Sequence, residues 1–116
     1  MSNENEFRVV WASLEKDTKR IRLGCCRTGR SEAEATVRRC NKEDKRSKYF
    51  IMSESEKISI NEYTIVWRMG TDNVIRSSNL IPLKYGAKET AKQMDKGYPA
   101  MKHYYIAPGE AMDKWR

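Results

Sequence analysis

The residues in this 116-residue chain that could do chemistry are chiefly cations. Between Lys16 and Lys48 stand twelve basic residues, Lys16, Lys19, Arg20, Arg22, Arg27, Arg30, Arg38, Arg39, Lys42, Lys45, Arg46 and Lys48, against five acids, Asp17, Glu32, Glu34, Glu43 and Asp44. The excess over this stretch equals the net charge of the whole chain, +7. Cations grouped in this way neutralise phosphates, and the released counterions make such binding weaken steeply with salt. Arg20 and Arg22 stand two apart, so on a strand they leave the same face. Arg27 and Arg30 flank the loop that follows, and Arg38, Arg39 and Lys42 fall on the helix after it. Arg20, Arg22, Arg27, Arg30, Arg38, Arg39 and Lys42 are therefore the candidate nucleic-acid-binding residues. A solubilising surface would draw on the same residue types.

Other chemistry is sparse. His103 is the only histidine and sits beside Tyr104 and Tyr105, where a partly buried packing or edge role is commoner than a general base. No serine or cysteine lies in a nucleophile motif. Three cysteines, Cys25, Cys26 and Cys40, plus His103 reach the ligand count of a zinc site, but the paired C-x-x-C spacing is missing. Cys25 and Cys26 would point to opposite faces of a strand; a bridge from either to Cys40 is geometrically open, and free buried thiols are the simpler expectation. Thr28-Gly29-Arg30-Ser31 could hold a phosphate on backbone amides at a helix start, although an ordinary strand-to-helix loop with a cap would read the same. The expectation is a protein that is not an enzyme, with no catalytic residue, cofactor or metal.

The elements that must hold these cations come as a repeat. Glu6-Phe7-Arg8-Val9-Val10-Trp11 returns as Glu62-Tyr63-Thr64-Ile65-Val66-Trp67. Alternation of Phe7, Val9 and Trp11 with Arg8, Val10 and Ala12 predicts a half-buried strand, and Ile21, Leu23 and Cys25 predict its hairpin partner. Ser31 with Glu34 predicts a capping box, with Ser31 as N-cap of a helix running to about Asp44. Its apolar stripe is Ala33, Val37 and Cys40, and Tyr49 to Met52 form a closing strand. In the second half Gly70-Thr71-Asp72-Asn73 is the hairpin turn, Pro82 ends or edges a strand, and Ala87, Ala91 and Met94 are the helical stripe. Trp11 maps to Trp67 at an offset of 56, Ala33 to Ala87 at 54, and Tyr49 to Tyr104 at 55.

The expected fold is α+β: tandem duplicated ββαβ units with antiparallel sheets, each covered by one helix, related by an approximate twofold. Residues 1–5 are expected to be a disordered tail, 6–56 the first and basic unit, 57–61 the connector within a polar stretch, and 62–116 the second unit with its C-terminal tail. The second unit, poorer in unpaired cations, would serve mainly as packing partner. Phe7, Trp11, Phe50, Tyr63 and Trp67 are expected in the core, which leaves Val10, Ala12 and Val66 outward. Either the two sheets meet through those residues, edge to edge or face to face, or a mixed apolar and basic face is open.

No apolar run approaches the ~20 residues of a membrane span, and the first residues carry no secretory pattern, so a cytoplasmic protein is expected. The partner would be DNA or RNA through its phosphate backbone. Alternatively it would be an acidic surface of a host protein, the chain acting as a small protein-binding module or inhibitor such as a viral or mobile-element accessory protein. A sheet edge could also bring two chains together as a homodimer.

Overall fold

Alternating apolar side chains build the first hairpin. β1 (Glu6–Ser13) and β2 (Ile21–Gly29) run antiparallel, with Val10 opposite Leu23 and Ala12 opposite Ile21. A register shift between Arg8 and Val10 marks a bulge, and Gly24 sits against it. A Cβ there would lie 2.4 Å from the Val9 carbonyl oxygen, so the close approach of the two backbones requires glycine. The computed structural model that carries these elements describes residues 6–59, 61–77 and 82–111, the side chains of 25–27, 110 and 111 excepted. The expected N-terminal tail, the C-terminal tail from residue 112 and the cysteine pairings of Cys25 and Cys26 lie outside that description; Cys40 is a free, half-buried thiol.

The first helix begins earlier than the capping box implied. β2 continues to Gly29, with Phe7 opposite Thr28 and Arg8 opposite Arg27, so the expected loop Arg27 to Arg30 is largely strand. α1 (Arg30–Glu43) follows at once; its N-cap is Gly29, which makes no side-chain cap bond, and Ser31 is already the second helical residue. Thr28 donates instead to the Glu32 carboxylate at 2.6 Å. At the far end Asn41 clamps the helix to the next strand by donating to the Tyr49 carbonyl (3.1 Å) and accepting from the Tyr49 amide (2.7 Å).

β3 (Ser47–Ser53) pairs antiparallel with β1 along its length. β4 (Thr64–Met69) and β5 (Val74–Ser77) form the second hairpin around Gly70, which takes a positive φ of 48°, and α2 (Ala87–Gly97) leads to β6 (Met101–Ile106) and a short α3 (Pro108–Ala111). The expected turn and both helical stripes are where the spacing put them: Ala33, Val37, Ala87 and Ala91 are buried.

The class is α+β, and the strands form one mixed sheet ordered β2-β1-β3-β5-β4-β6. The two halves join edge to edge through a parallel pairing of β3 with β5, Ile51 opposite Val74. The sheet then curls until its outer strands approach: Arg20 bridges Tyr105, and the Tyr105 amide donates to the Lys19 carbonyl at 2.8 Å. Curling encloses Val10, Ala12, Ile21, Leu23, Phe50, Met52, Val66, Ile75, Tyr104 and Ile106 in a central core. Val10, Ala12 and Val66 are therefore enclosed where the two halves of the sheet meet, and do not form an open mixed face. The opposite strand faces are apolar too, because the helices cover them: α1 lies on Phe7 and Ile51, and α2 on Ile65 and Tyr105. Trp11 and Trp67 are only half-buried, Trp11 with its ring 6.1 Å from that of Tyr49.

Phe50 faces Val10 as Tyr104 faces Val66, so Phe50 and Tyr104 take like positions in their strand pairs, 54 residues apart. Tyr49 corresponds to His103.

The closure carries a pH signature. The Tyr105 hydroxyl donates to Asp17 in the β1–β2 turn; burial and then this bond push the phenol from 10.0 up to about 12. A raised value favours the protonated phenol of the folded chain, so its contribution is complete below pH 10 and is lost as pH rises towards about 12. Tyr105→Phe should flatten the alkaline limb of stability, measured as urea midpoints across that window; a limb as steep as wild type would count against the contact.

Candidate nucleic-acid interface

With Ile21 and Leu23 enclosed, Arg20 and Arg22 leave the outer face of β2 as expected. Their surroundings differ. Arg22 is exposed, whereas Arg20 is half-buried at the sheet closure, where its charge and that of Lys88, 3.8 Å from Asp17, act on the Asp17 carboxyl. Burial alone would raise that carboxyl; the bonds from Tyr105 and the Lys19 amide and the two cations outweigh it and hold the value below 3.8. Arg20 thus helps to seal the curled sheet. The Arg27 side chain lies outside the described residues. Arg30, first in α1, stands 3.7 Å from Glu34 and 5.6 Å over the Phe7 ring.

The remaining three share α1. Arg38 and Lys42 are one turn apart with Arg39 beside them, all exposed, and Lys45 follows just past the helix. Among the described residues none of these four has a carboxylate in ion-pair reach, whereas Arg30 and Arg46 do. The carbonyl end of α1 carries a partial negative charge that favours cations in its last turn, Lys42 among them. Backbone topology therefore splits the expected residues into an outer β2 group and an α1 group. Only the second forms an exposed, unpaired set.

A further cationic group was not foreseen. Where β1 and β4 end and β2, β3 and β6 begin, a cavity of about 210 Å³ opens into the curled sheet, lined by Ala12, Leu14, Thr18, Lys48, Phe50, Arg68, Lys102 and Tyr104. Three of these are cations and none is a carboxylate. Arg68 lies 5.1 Å over the Phe50 ring and donates to the Asp72 carbonyl at 3.3 Å. Burial, then the charge of Arg68, lowers the Lys48 ammonium from its ordinary 10.5. The sequence held a signal for this group: the offset of 54 takes Lys48 to Lys102 and Phe50 to Tyr104. Matching Tyr49 to Tyr104 hid it, and reading the second half as mere packing partner overlooked Arg68 and Lys102.

His103 is fully enclosed beneath α2. Its Nδ1 is 3.0 Å from Asp95 Oδ1, the same oxygen accepts the His103 amide at 2.6 Å, and Lys19 pairs with Asp95 while donating to the His103 carbonyl at 3.1 Å. This knot ties α2, β6 and the β1–β2 turn together and leaves the imidazole no open side for a reactant. A groove of about 300 Å³ between α1 and β5 is mixed in sign, with Glu34 and Asp72 beside Arg38. Among the described residues no three His, Cys, Asp or Glu side chains converge as a metal site would need, and no helix is long and apolar enough to cross a membrane. Compared with family models, curated proteins and solved structures, the chain matches none of them.

Proposed function

We propose that this protein binds DNA or RNA without catalysing a reaction, laying the basic face of α1 along the phosphate backbone with little base specificity. The observation that carries the reading is the set Arg38, Arg39, Lys42 and Lys45, four exposed cations with no carboxylate partner among the described residues. Unpaired cations are free to release counterions to a polyanion, which is where non-specific affinity originates. Arg22, with Arg20, Arg27 and Arg30, would extend the contact around β2, and such a binder would work in the cytoplasm.

The test is fluorescence anisotropy with mixed-sequence DNA and RNA. Four neutralised phosphates imply a slope of about −3.6 in log affinity against log salt on duplex DNA, roughly a hundredfold loss between about 50 and 200 mM. Arg38→Gln combined with Lys42→Gln should remove about two units of that slope. An unchanged slope would sink the α1 assignment.

A second reading is favoured by a different observation. Leu14, Met69 and Tyr98 are each more than half exposed at the end where the cationic cavity opens, a mixed apolar and basic surface suited to an acidic protein partner. No shift of either nucleic acid at low salt would favour that role, a small binding module or inhibitor such as a viral or mobile-element accessory protein.

We also infer a tandem duplication of a ββαβ unit across 6–56 and 62–116. The support is the element order, the offset of 54 through both the helices and the closing strands, and the offset of 56 at Trp11 and Trp67.

A further inference from the structure

We propose that the cavity at the open end of the curled sheet is a binding site for a phosphoryl group, held by Arg68, Lys48 and Lys102 with the Tyr104 hydroxyl at its floor. This site is separate from the α1 face and does not depend on it.

Charge comes first. Lys48, Arg68 and Lys102 line one cavity from three strands, and among the described residues none has an ion-pair partner. Cations that line one cavity repel, and the Lys48 ammonium is lowered first by burial and then by the charge of Arg68. An anion between them would remove the conflict. The carboxylate that acts on Tyr104, that of Asp95, is already engaged by Lys19 and His103.

Geometry narrows the anion. Arg68 is held by the Phe50 ring and the Asp72 carbonyl, and its Nε is out of contact with solvent without a hydrogen-bond partner. A guanidinium held in place in this way suits a tetrahedral or planar oxyanion. Tyr104 is 4% exposed; burial raises its phenol, and the charge and hydrogen bond of Arg68 oppose that rise. The Tyr104 phenol lines the same cavity and carries a proton to donate to an acceptor. Thr18 supplies a further hydroxyl at the rim.

Size narrows it again. About 210 Å³ falls below the roughly 300–1,000 Å³ of pockets that enclose drug-sized ligands, so the site takes a small charged group and leaves any larger body outside. The pairs Lys48 with Lys102 and Phe50 with Tyr104 correspond between the two halves, so the cavity is built jointly by them and neither half would form it alone.

The test is a titration of the full chain with inorganic phosphate, followed by amide chemical shifts and calorimetry at ionic strength matched with chloride. Saturable shifts centred on Lys48, Arg68, Lys102 and Tyr104 are expected. Lys102→Gln, at an exposed position, and Arg68→Lys, which keeps the charge but loses the fork, should each weaken binding by about tenfold while leaving the spectrum folded. Arg38→Gln with Lys42→Gln should leave the titration unaltered. A 5′-phosphorylated oligonucleotide that binds more tightly than its 5′-hydroxyl counterpart would assign the phosphoryl group to a nucleic-acid end; equal binding, with phosphate still saturating, would assign it to a small phosphate ester. Absence of saturable shifts, or shifts spread evenly over all basic residues and indifferent to Lys102→Gln, would overturn the proposal.

Discussion

Phe50→Ala should destabilise the fold by about 3–5 kcal/mol, the range for truncating a buried phenylalanine. Phe50 is fully enclosed in β3, faces Val10 across the sheet, and packs on Tyr104 with ring centroids 5.6 Å apart and planes at 54°. Losing the ring removes apolar area and the aromatic pair at once. Relaxation cannot recover much, because the neighbours Val10 and Val66 are fixed by strand pairings on both sides and Tyr104 is paired to Val66. The void would also merge with the cavity already present, lined in part by Phe50 itself, and would admit water into the core. With a urea dependence of about 1–3 kcal/mol per molar, the unfolding midpoint should fall by roughly 2 M. Phe50→Leu, which keeps most of the volume, should cost less than about 1.5 kcal/mol. A loss under about 1 kcal/mol for the alanine variant would mean that the curled sheet does not enclose a continuous core. Because Arg68 stacks on Phe50, the leucine variant should also bind phosphate less well while remaining folded, which separates the two consequences.

The local elements were legible because their periods are local. The alternation in β1 and β2, the stripes at Ala33 and Val37 and at Ala87 and Ala91, and the turn from Gly70 to Asn73 need only a few neighbouring residues to be recognised. Start of α1 was misread because Ser31 and Glu34 fit a capping box, while the pairing of β2 with β1 as far as Gly29 leaves no loop for it to cap. The curl was not legible. Both faces of β1 are apolar, Phe7 and Val9 on one and Val10 and Ala12 on the other, and alternation alone does not say which face meets a helix and which meets the rest of the sheet. The α1 cations could be read as one group because a helix sets their spacing. Lys48, Arg68 and Lys102 belong to three strands and meet only when the sheet curls, information that sequence spacing carries solely through the offset between the halves.

The end of the sheet opposite the cationic cavity carries the other large expected effect. Arg8 projects to the same side as Val10 and Ala12, yet it is a charge, and it is 5% exposed. Its Nε is 2.7 Å from Glu54, and its Nη1 donates to the Gly24 carbonyl at 2.9 Å, beside the bulge. Glu54, the first residue past β3, reads in the sequence as part of the polar stretch that leads to the connector; its amide bonds the Glu6 carbonyl at 3.0 Å, and this brings its carboxylate over Arg8. Two charges withdrawn from water support each other, so removing one takes that support from the other. Arg8→Met alone and Glu54→Leu alone should each cost about 3–5 kcal/mol. The double variant should cost much less than the sum, and could approach wild type, since an apolar pair of similar volume suits a site flanked by the core. Urea unfolding of the four chains gives the coupling energy directly. Additive losses would mean that the two residues are held independently and that the ion pair does not close this end of the fold.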